Sequence, residues 1–205
     1  MISTGTSTRE RLLDAAEQVL LAEGLEGLSI AKVTAQAGTN LAAVNYTFGS
    51  KDALLHALLQ RILVPLTEER IRRIDAFAAS RKRDVVGLTS AFMGPLLELN
   101  EHLSALFFEL MLKPLSTGRE TTRPDNVATA VQQIGGKELE PGVKRFVDEL
   151  AVLTPARSRD ELYARVGLAI GAASALYAQP TKWGNLSDKQ RIANFINFLA
   201  AGFAA

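Results

Sequence analysis

The chain contains no cysteine and only two histidines among its 205 residues. Without cysteine it can form neither disulfide bonds nor thiolate metal sites. His56 and His102 lie far apart in sequence, and neither belongs to an H-E-x-x-H motif; G-x-S-x-G and phosphate-loop motifs are missing as well. The residues therefore predict no metal site, no cofactor and no enzymatic activity.

Long apolar runs and an excess of charge are also missing. No eighteen consecutive apolar residues occur, and the first residues do not resemble a signal peptide, which predicts a cytoplasmic protein with no membrane partner. The net charge is +1, and residues 1–51 hold four basic against five acidic side chains. Because this is a weak electrostatic footprint for nucleic-acid binding, any binding to DNA must depend on geometry more than on bulk charge.

Helical periodicity is abundant, and its most informative stretch is SIAKVTAQAGTNLAAVNYTFGSK, residues 29–51. Ser29 is a suitable N-cap for a first helix, Gly38 suits a sharp stop, and Asn40 can cap a second helix. One stripe of the first helix repeats at offsets of zero, three, four and seven residues: Ile30, Val33, Thr34 and Ala37. The stretch therefore predicts two short helices joined by a tight turn.

The second helix is predicted over residues 41–48, with Val44 and Phe48 pointing inward because they are four residues apart. The outward positions are then Ala42, Asn45, Tyr46 and Thr47. Two short helices with this turn have the layout of a helix-turn-helix, whose second helix enters the major groove of DNA.

The segment AGTNLAAVNYTFGSKDALL resembles the DNA-binding motif of the TetR family of bacterial repressors, and the resemblance extends over roughly residues 6–62. It implies an all-α fold. Residues 1–50 would form a three-helix DNA-binding domain, residues 51–64 a connecting helix, and residues 65–205 a larger helical domain for effector binding and dimerisation. It also implies a homodimeric repressor that binds a palindromic operator in double-stranded DNA and is released by a small molecule.

Within this motif, Ala42, Ala43 and Asn45 can approach base edges, whereas Tyr46 and Lys51 match the family's phosphate-binding positions. Two positions depart from the family: Thr47 stands where histidine is frequent, and Leu41 where a polar or basic residue is common. The predicted DNA-binding set is Lys32, Asn40, Leu41, Ala42, Ala43, Asn45, Tyr46, Thr47 and Lys51.

The central part of the chain predicts a candidate effector pocket rich in leucine, phenylalanine and methionine, a mixture that also suits an ordinary helical core. Its candidate residues are Phe92, Met93, Leu96, Phe107 and Met111. Similarity of NLAAVNYTFGSK to fatty-acid-responsive family members suggests an acyl or other hydrophobic effector. The basic side chains that precede this part, from Arg70 to Arg83, are predicted to be solvated surface.

The last two predicted helices are the candidate dimer surface, since one carries a stripe of small residues and the other an apolar stripe. The predicted interface comprises Ala164, Gly167, Gly171, Ala175, Ile192, Phe195, Ile196 and Leu199. The alternative is that both helices only close the core of one protomer. The rival interpretation of the function of the chain is a helical ligand-binding or interaction module whose DNA affinity is weak or lost.

Several breaks between helices are also predicted. Gly24 should close the first helix, and Pro65 should kink or end the connecting helix. The Gly135–Gly136 pair should stop a short helix that begins near residue 127. Capping boxes are expected at Ser158 and Ser187.

Overall fold

The computed structural model describes residues 7–99, 127–178 and 186–205, and every regular element in these ranges is an α-helix. The predicted all-α fold is confirmed. Contacts between Cα atoms group the chain into two compact units that part between Ile62 and Leu63. The first unit holds the residues up to Ile62, and the second holds most residues from Leu63 onward.

The first unit contains the helices α1 (Thr8–Gly27), α2 (Ile30–Gln36) and α3 (Leu41–Phe48), which pack on one another. Each contributes apolar side chains to a shared core: Leu12, Ala16, Leu20, Val33 and Val44. The predicted break at Gly24 is present, because this residue has φ 68° and interrupts the helical geometry of α1.

The helix α4 (Lys51–Ala78) begins in the first unit and continues into the second. Pro65 lies inside it, so the helix does not end at this proline. A proline removes one main-chain hydrogen bond and crowds the preceding turn. Here the neighbouring Leu63 and Leu66 are buried, and their packing stabilises the helix on both sides of the proline.

Three helices lie wholly in the second unit: α5 (Val85–Leu97), α7 (Arg159–Ala178) and α8 (Asp188–Ala204). Helix α6 (Val127–Leu153) belongs to it from Gly135 onward, while its first residues group with the first unit. Helix α8 packs against both α5 and α7. Three phenylalanines connect helices across this core: Phe146 stacks on Phe92 with ring centroids 4.3 Å apart and meets Phe203 edge-on at 5.2 Å. These rings join α5, α6 and α8 into one packed body.

Helix α6 contradicts one prediction, because it runs without interruption through Gly135, Gly136 and Pro141. A helical glycine costs about 1 kcal/mol relative to alanine. Phe146, Val147 and Leu150 on the same helix are fully buried, and burial of one such side chain contributes about 2 kcal/mol. Tertiary packing therefore outweighs the local preference that predicted a break.

Candidate nucleic-acid interface

Side-chain caps and one glycine fix the turn between α2 and α3. The Ser29 hydroxyl accepts a hydrogen bond from the Lys32 amide at 3.3 Å, and the Asn40 side chain accepts one from the Ala43 amide at 3.0 Å. Gly38 has φ 62°, a conformation that glycine adopts with little strain. The capping roles predicted for Ser29 and Asn40 are confirmed, and the two helices are joined by residues 37–40.

Helix α3 has one buried and one exposed face. Val44 is 0% exposed and anchors the helix in the core of the first unit, while Phe48 is half-buried. The Arg9 guanidinium carbon lies 4.9 Å from the centroid of the Phe48 ring, which connects the start of α1 with the end of α3. On the opposite face, Tyr46 is 96% exposed. Three further residues of α3 are exposed: Leu41, Ala42 and Asn45.

A concavity of about 720 Å³ lies between this exposed face and the first turn of α1. Its lining residues are Thr8, Arg9, Asn40, Ala42, Ala43, Tyr46 and Thr47. Five of them belong to the predicted DNA-binding set, whereas Thr8 and Arg9 do not. Both belong to the first turn of α1, where the Ser7 hydroxyl accepts a hydrogen bond from the Glu10 amide at 3.1 Å. They come next to α3 only when the helices pack.

The two lysines of the predicted set occupy different environments. Lys32 is exposed on α2, and its ammonium group is paired with the Glu23 carboxylate of α1. Lys51 is the first residue of α4 and is half-buried. Amide groups at a helix start favour a bound anion, so Lys51 stands where a phosphate would be stabilised by both the side chain and the main chain.

Taken together, α2, the turn and α3 form a helix-turn-helix inside an all-helical protein. This class of protein is defined by a second helix that stands exposed on a three-helix base. Comparison with known families agrees with this geometry: the family model of bacterial regulatory proteins of the tetR family matches residues 12–58. Residues 12–58 of the chain are therefore similar to the DNA-binding segment of these regulators.

Among characterised proteins, the chain is similar to the HTH-type nicotine-responsive transcriptional repressor HdnoR of Paenarthrobacter nicotinovorans. The two are 34% identical over 67 residues, which are 33% of this chain and 34% of that repressor. The match thus spans about a third of the length of the relative.

Solved structures share the fold over nearly the whole chain. The multidrug binding protein EbrR, complexed with imidazole, aligns with TM-score 0.59 and 19% identity over 95% of this chain and 96% of its own. A protein of unknown function from Rhodococcus sp. RHA1 aligns with TM-score 0.64 and 22% identity over 100% of both chains. These likenesses show that the second unit, as well as the first, has the fold of these proteins.

The candidate effector residues fall into two groups. Phe92, Met93 and Leu96 lie on α5, each only 1% exposed, within the packed core of the second unit. Phe107 and Met111 lie outside the described residues. The basic side chain Arg70 is also buried here, so the prediction of a solvated surface is wrong at this position. It sits between Leu66 and Ile74 at helical spacing, a signal for an inward position that the sequence already contained.

The candidate dimer residues also divide. On α7, Ala164 and Gly167 are exposed and Gly171 is half-buried, while the side chain of Ala175 lies outside the described residues. On α8, Ile192 is half-buried, but the other three predicted residues point into the protomer's own core: Phe195, Ile196 and Leu199. These three side chains are therefore packed within the protomer, and the role of α7 and α8 in a dimer stays a prediction.

Different apolar side chains are exposed on these two helices instead. Leu168 on α7 is 75% exposed and Phe198 on α8 is 68% exposed. Both line a groove of about 470 Å³ between the helices, whose edge is formed by Arg165. Which of these side chains would contact a second protomer stays a prediction.

In the ranges that the structure describes, no three histidine, aspartate or glutamate side chains lie close enough together to hold a metal ion. Across those same ranges, no helix has the length and apolar character needed to cross a membrane.

Proposed function

We propose that this protein is a DNA-binding transcriptional regulator, a repressor that binds a palindromic operator as a homodimer and is released by a small hydrophobic effector. The observation that carries the proposal is the division of α3 into a buried anchor and an exposed polar face. A helix needed only for the core would not leave a tyrosine almost fully exposed beside an asparagine and a concave surface.

In this proposal the predicted DNA-binding residues have different roles in DNA recognition. Ala42 and Ala43 allow the helix backbone to approach the major groove, and Asn45 donates to or accepts from a base edge. Tyr46, Thr47 and Lys51 bind phosphates, and these contacts set the position of the helix on the duplex. Leu41 lies at the exposed start of α3 and can contact a thymine methyl group.

Lys32 requires an exchange of partners before it can bind a phosphate. In the free protein it is paired with Glu23, and both side chains are more than two-fifths exposed. An ion pair this exposed contributes at most about 1 kcal/mol, so a DNA phosphate can replace the carboxylate at small cost. Glu23 then remains beside the duplex, and its negative charge limits the contribution of Lys32 to the free energy of DNA binding.

We propose the domain division that the family resemblance implies, with DNA binding in residues 1–50, a connecting helix over residues 51–64 and effector binding and dimerisation in residues 65–205. In a cytoplasmic homodimer, two copies of α3 would lie about 34–36 Å apart, one helical turn of DNA. The effector would favour a protein state in which this separation no longer fits the operator, by a few kcal/mol. The names of two similar proteins, a nicotine-responsive repressor and a multidrug binding protein, support a small organic effector.

Fluorescence anisotropy with the DNA that precedes the protein's own coding sequence tests the proposal. Tyr46→Phe removes only the hydroxyl group, and a hydrogen bond to a charged phosphate contributes about 1.5–3 kcal/mol. We therefore expect the Kd to rise about tenfold or more. Tyr163→Phe is the matched control, because Tyr163 is also an exposed tyrosine but lies on α7.

The same titration separates the proposal from the rival module without DNA affinity. If the wild-type protein binds no DNA even at low salt, the rival interpretation gains and the regulator is rejected. Equal affinities of Tyr46→Phe and the wild type would remove the assigned role of this residue while leaving DNA binding in place.

A further inference from the structure

Arg70 is a deeply buried cation in the middle of α4. Its exposed fraction is 3%, and it lies in the inward stripe of the helix between Leu66 and Ile74. Charged side chains are rarely buried to this extent unless they are paired. The position therefore needs an explanation beyond helix packing.

The contacts of Arg70 hold its head group in place without neutralising it. Its Nε donates a hydrogen bond to the main-chain oxygen of Phe92 at 3.0 Å, and the guanidinium carbon lies 4.6 Å from the centroid of the Phe92 ring. A Cβ added to Gly142 of α6 would lie 3.7 Å from the Arg70 Cδ, so α6 passes directly against the stem of the side chain. Helices α5 and α6 thus fix Arg70 from two sides.

No carboxylate of the described residues forms an ion pair with Arg70. The acidic side chains around it on α4 and α5 are engaged with other arginines: Glu69 pairs with Arg72 and Arg73, and Glu98 also pairs with Arg73. Burial lowers the pKa of Arg70 to about 10, and at neutral pH the group is still almost entirely protonated. Within the described part of the chain, the positive charge of Arg70 is therefore met by no carboxylate.

Such an arrangement is costly in the absence of an anion. Burial of a charge without a counter-charge is unfavourable, and the contact with an aromatic ring offsets only part of this cost. The hydrogen bond to Phe92 uses the Nε donor, and a guanidinium group has four further N–H donors at its two terminal nitrogens. These donors have the fork geometry that matches two carboxylate oxygens.

We propose that Arg70 binds the acidic head group of the effector, and that the effector is an apolar carboxylic acid whose hydrocarbon part lies among the side chains of α5. Phe92 and Met93, both buried on α5, provide the apolar and polarisable surface that a hydrocarbon chain requires. The inference deepens the proposed function, since it assigns a chemical class to the effector of that regulator.

The test compares three ligands of one chain length on the full-length protein after removal of bound lipid. Isothermal titration calorimetry with decanoate, methyl decanoate and 1-decanol separates the carboxylate from the hydrocarbon. We expect decanoate to bind about tenfold or more tightly than either neutral compound, because each hydrogen bond between charged groups is stronger than a neutral one. In Arg70→Met, which replaces the stem with an apolar side chain, decanoate should lose this advantage.

Arg72→Met on the same helix is the control, because Arg72 is exposed and pairs with Glu69. It should keep the preference for the acid. If Arg70→Met does not fold, Arg70→Lys preserves the charge without the fork geometry and should show a reduced but measurable preference. Equal binding of acid, ester and alcohol by the wild type, or an unchanged preference in Arg70→Met, would overturn the inference.

Measurement of DNA binding alongside distinguishes this inference from the proposed function. Binding of decanoate without any affinity for DNA would leave the acid site intact and reject the regulator. Release of DNA by 1-decanol but not by decanoate would keep the regulator and reject an acidic effector.

Discussion

At the scale of the residue, Asn40 combines two roles that substitutions can separate. Its side chain caps α3 through the Ala43 amide, and it also lines the concavity proposed to face DNA. Asn40→Ala removes the cap, so we expect the free energy of unfolding to fall by about 1 kcal/mol. Asn40→Asp keeps a capping oxygen and places a negative charge at a helix start, which is favourable for the fold.

The two variants should therefore rank differently in two measurements. Urea unfolding should find Asn40→Asp at least as stable as the wild type, whereas DNA binding by Asn40→Asp should be the weaker of the two variants because its carboxylate repels phosphates. If Asn40→Asp binds DNA as well as the wild type does, Asn40 does not approach the duplex.

Residue roles could be predicted where they depend on near neighbours in sequence. Ser29 and Asn40 cap helices that begin one residue later, and such caps are local hydrogen bonds. Arg9 and Arg70 gain their environments from residues 39 and 22 positions away, Phe48 and Phe92. The charge run alone does not distinguish Arg70 from its neighbours; its helical spacing from Leu66 and Ile74 does.

At the scale of the helix, α4 is held to α1 within the first unit by a cluster of charges. Arg61 lies 2.6 Å from an Asp14 oxygen, 3.7 Å from Glu10 and 3.8 Å from Glu17. The hydrogen bond to Asp14 is the largest cause of the raised pKa of Arg61. Three acids around one cation make the cluster net negative, so part of the attraction to Arg61 offsets repulsion among the carboxylates.

We expect Arg61→Met to lower the free energy of unfolding by no more than about 1 kcal/mol, since the Arg61 side chain is more than one-third exposed and solvent screens the pairs. Urea unfolding at low and at high salt measures this, with Arg81→Met as the control on an exposed arginine outside the cluster. The difference from the wild type should shrink at high salt. A loss well above this value that persists in high salt would mean that Arg61 acts through packing of its stem.

Helix boundaries were predictable where a cap or a left-handed glycine stands at the end, as at Gly38 and Ser187. They were not predictable at Pro65 or at Gly135–Gly136, where helices continue through unfavourable residues. Local preference at these positions amounts to a few kcal/mol, and burial of distant side chains exceeds it. The helix-turn-helix was accessible from sequence because all its determinants fall within 23 residues, Ser29 to Lys51.

At the scale of the whole molecule, few cations are available for DNA, and this sets the salt dependence. Arg9, Lys32 and Lys51 are the basic residues placed on or beside the helix-turn-helix. A dimer that uses all three in each protomer would neutralise about six phosphates, and the plot of log Kobs against log salt would then have a slope of about −5. Anisotropy titrations between low and physiological salt give this slope, and a value near about −10 would require a basic surface outside these residues.

The slope of this plot depends on the oligomeric state, since a dimer brings twice as many cations to DNA as a monomer. We expect the exposed groove between α7 and α8 to be the surface at which two protomers meet. Phe198 and Leu168 are exposed apolar neighbours on the groove, and we expect Phe198→Asp to convert the dimer into monomers because it places a charge in an apolar interface. Val152→Asp is the control, since Val152 is 60% exposed on α6 and lies outside the groove. Sedimentation velocity at micromolar concentration measures the change.

A monomer brings one helix-turn-helix and half of the cations to DNA. Phe198→Asp should therefore bind the operator with a slope of about −3 instead of about −5, and its Kd should no longer depend on the spacing of the two half-sites. Phe195→Ala is a second control, because Phe195 is buried in the core of the protomer. Its truncation should lower the free energy of unfolding by about 3–5 kcal/mol. Dimers of this variant that remain folded should keep the full slope. If Phe198→Asp stays dimeric, or if it is monomeric yet keeps the full slope, the two copies of α3 do not bind DNA through a dimer built on this groove.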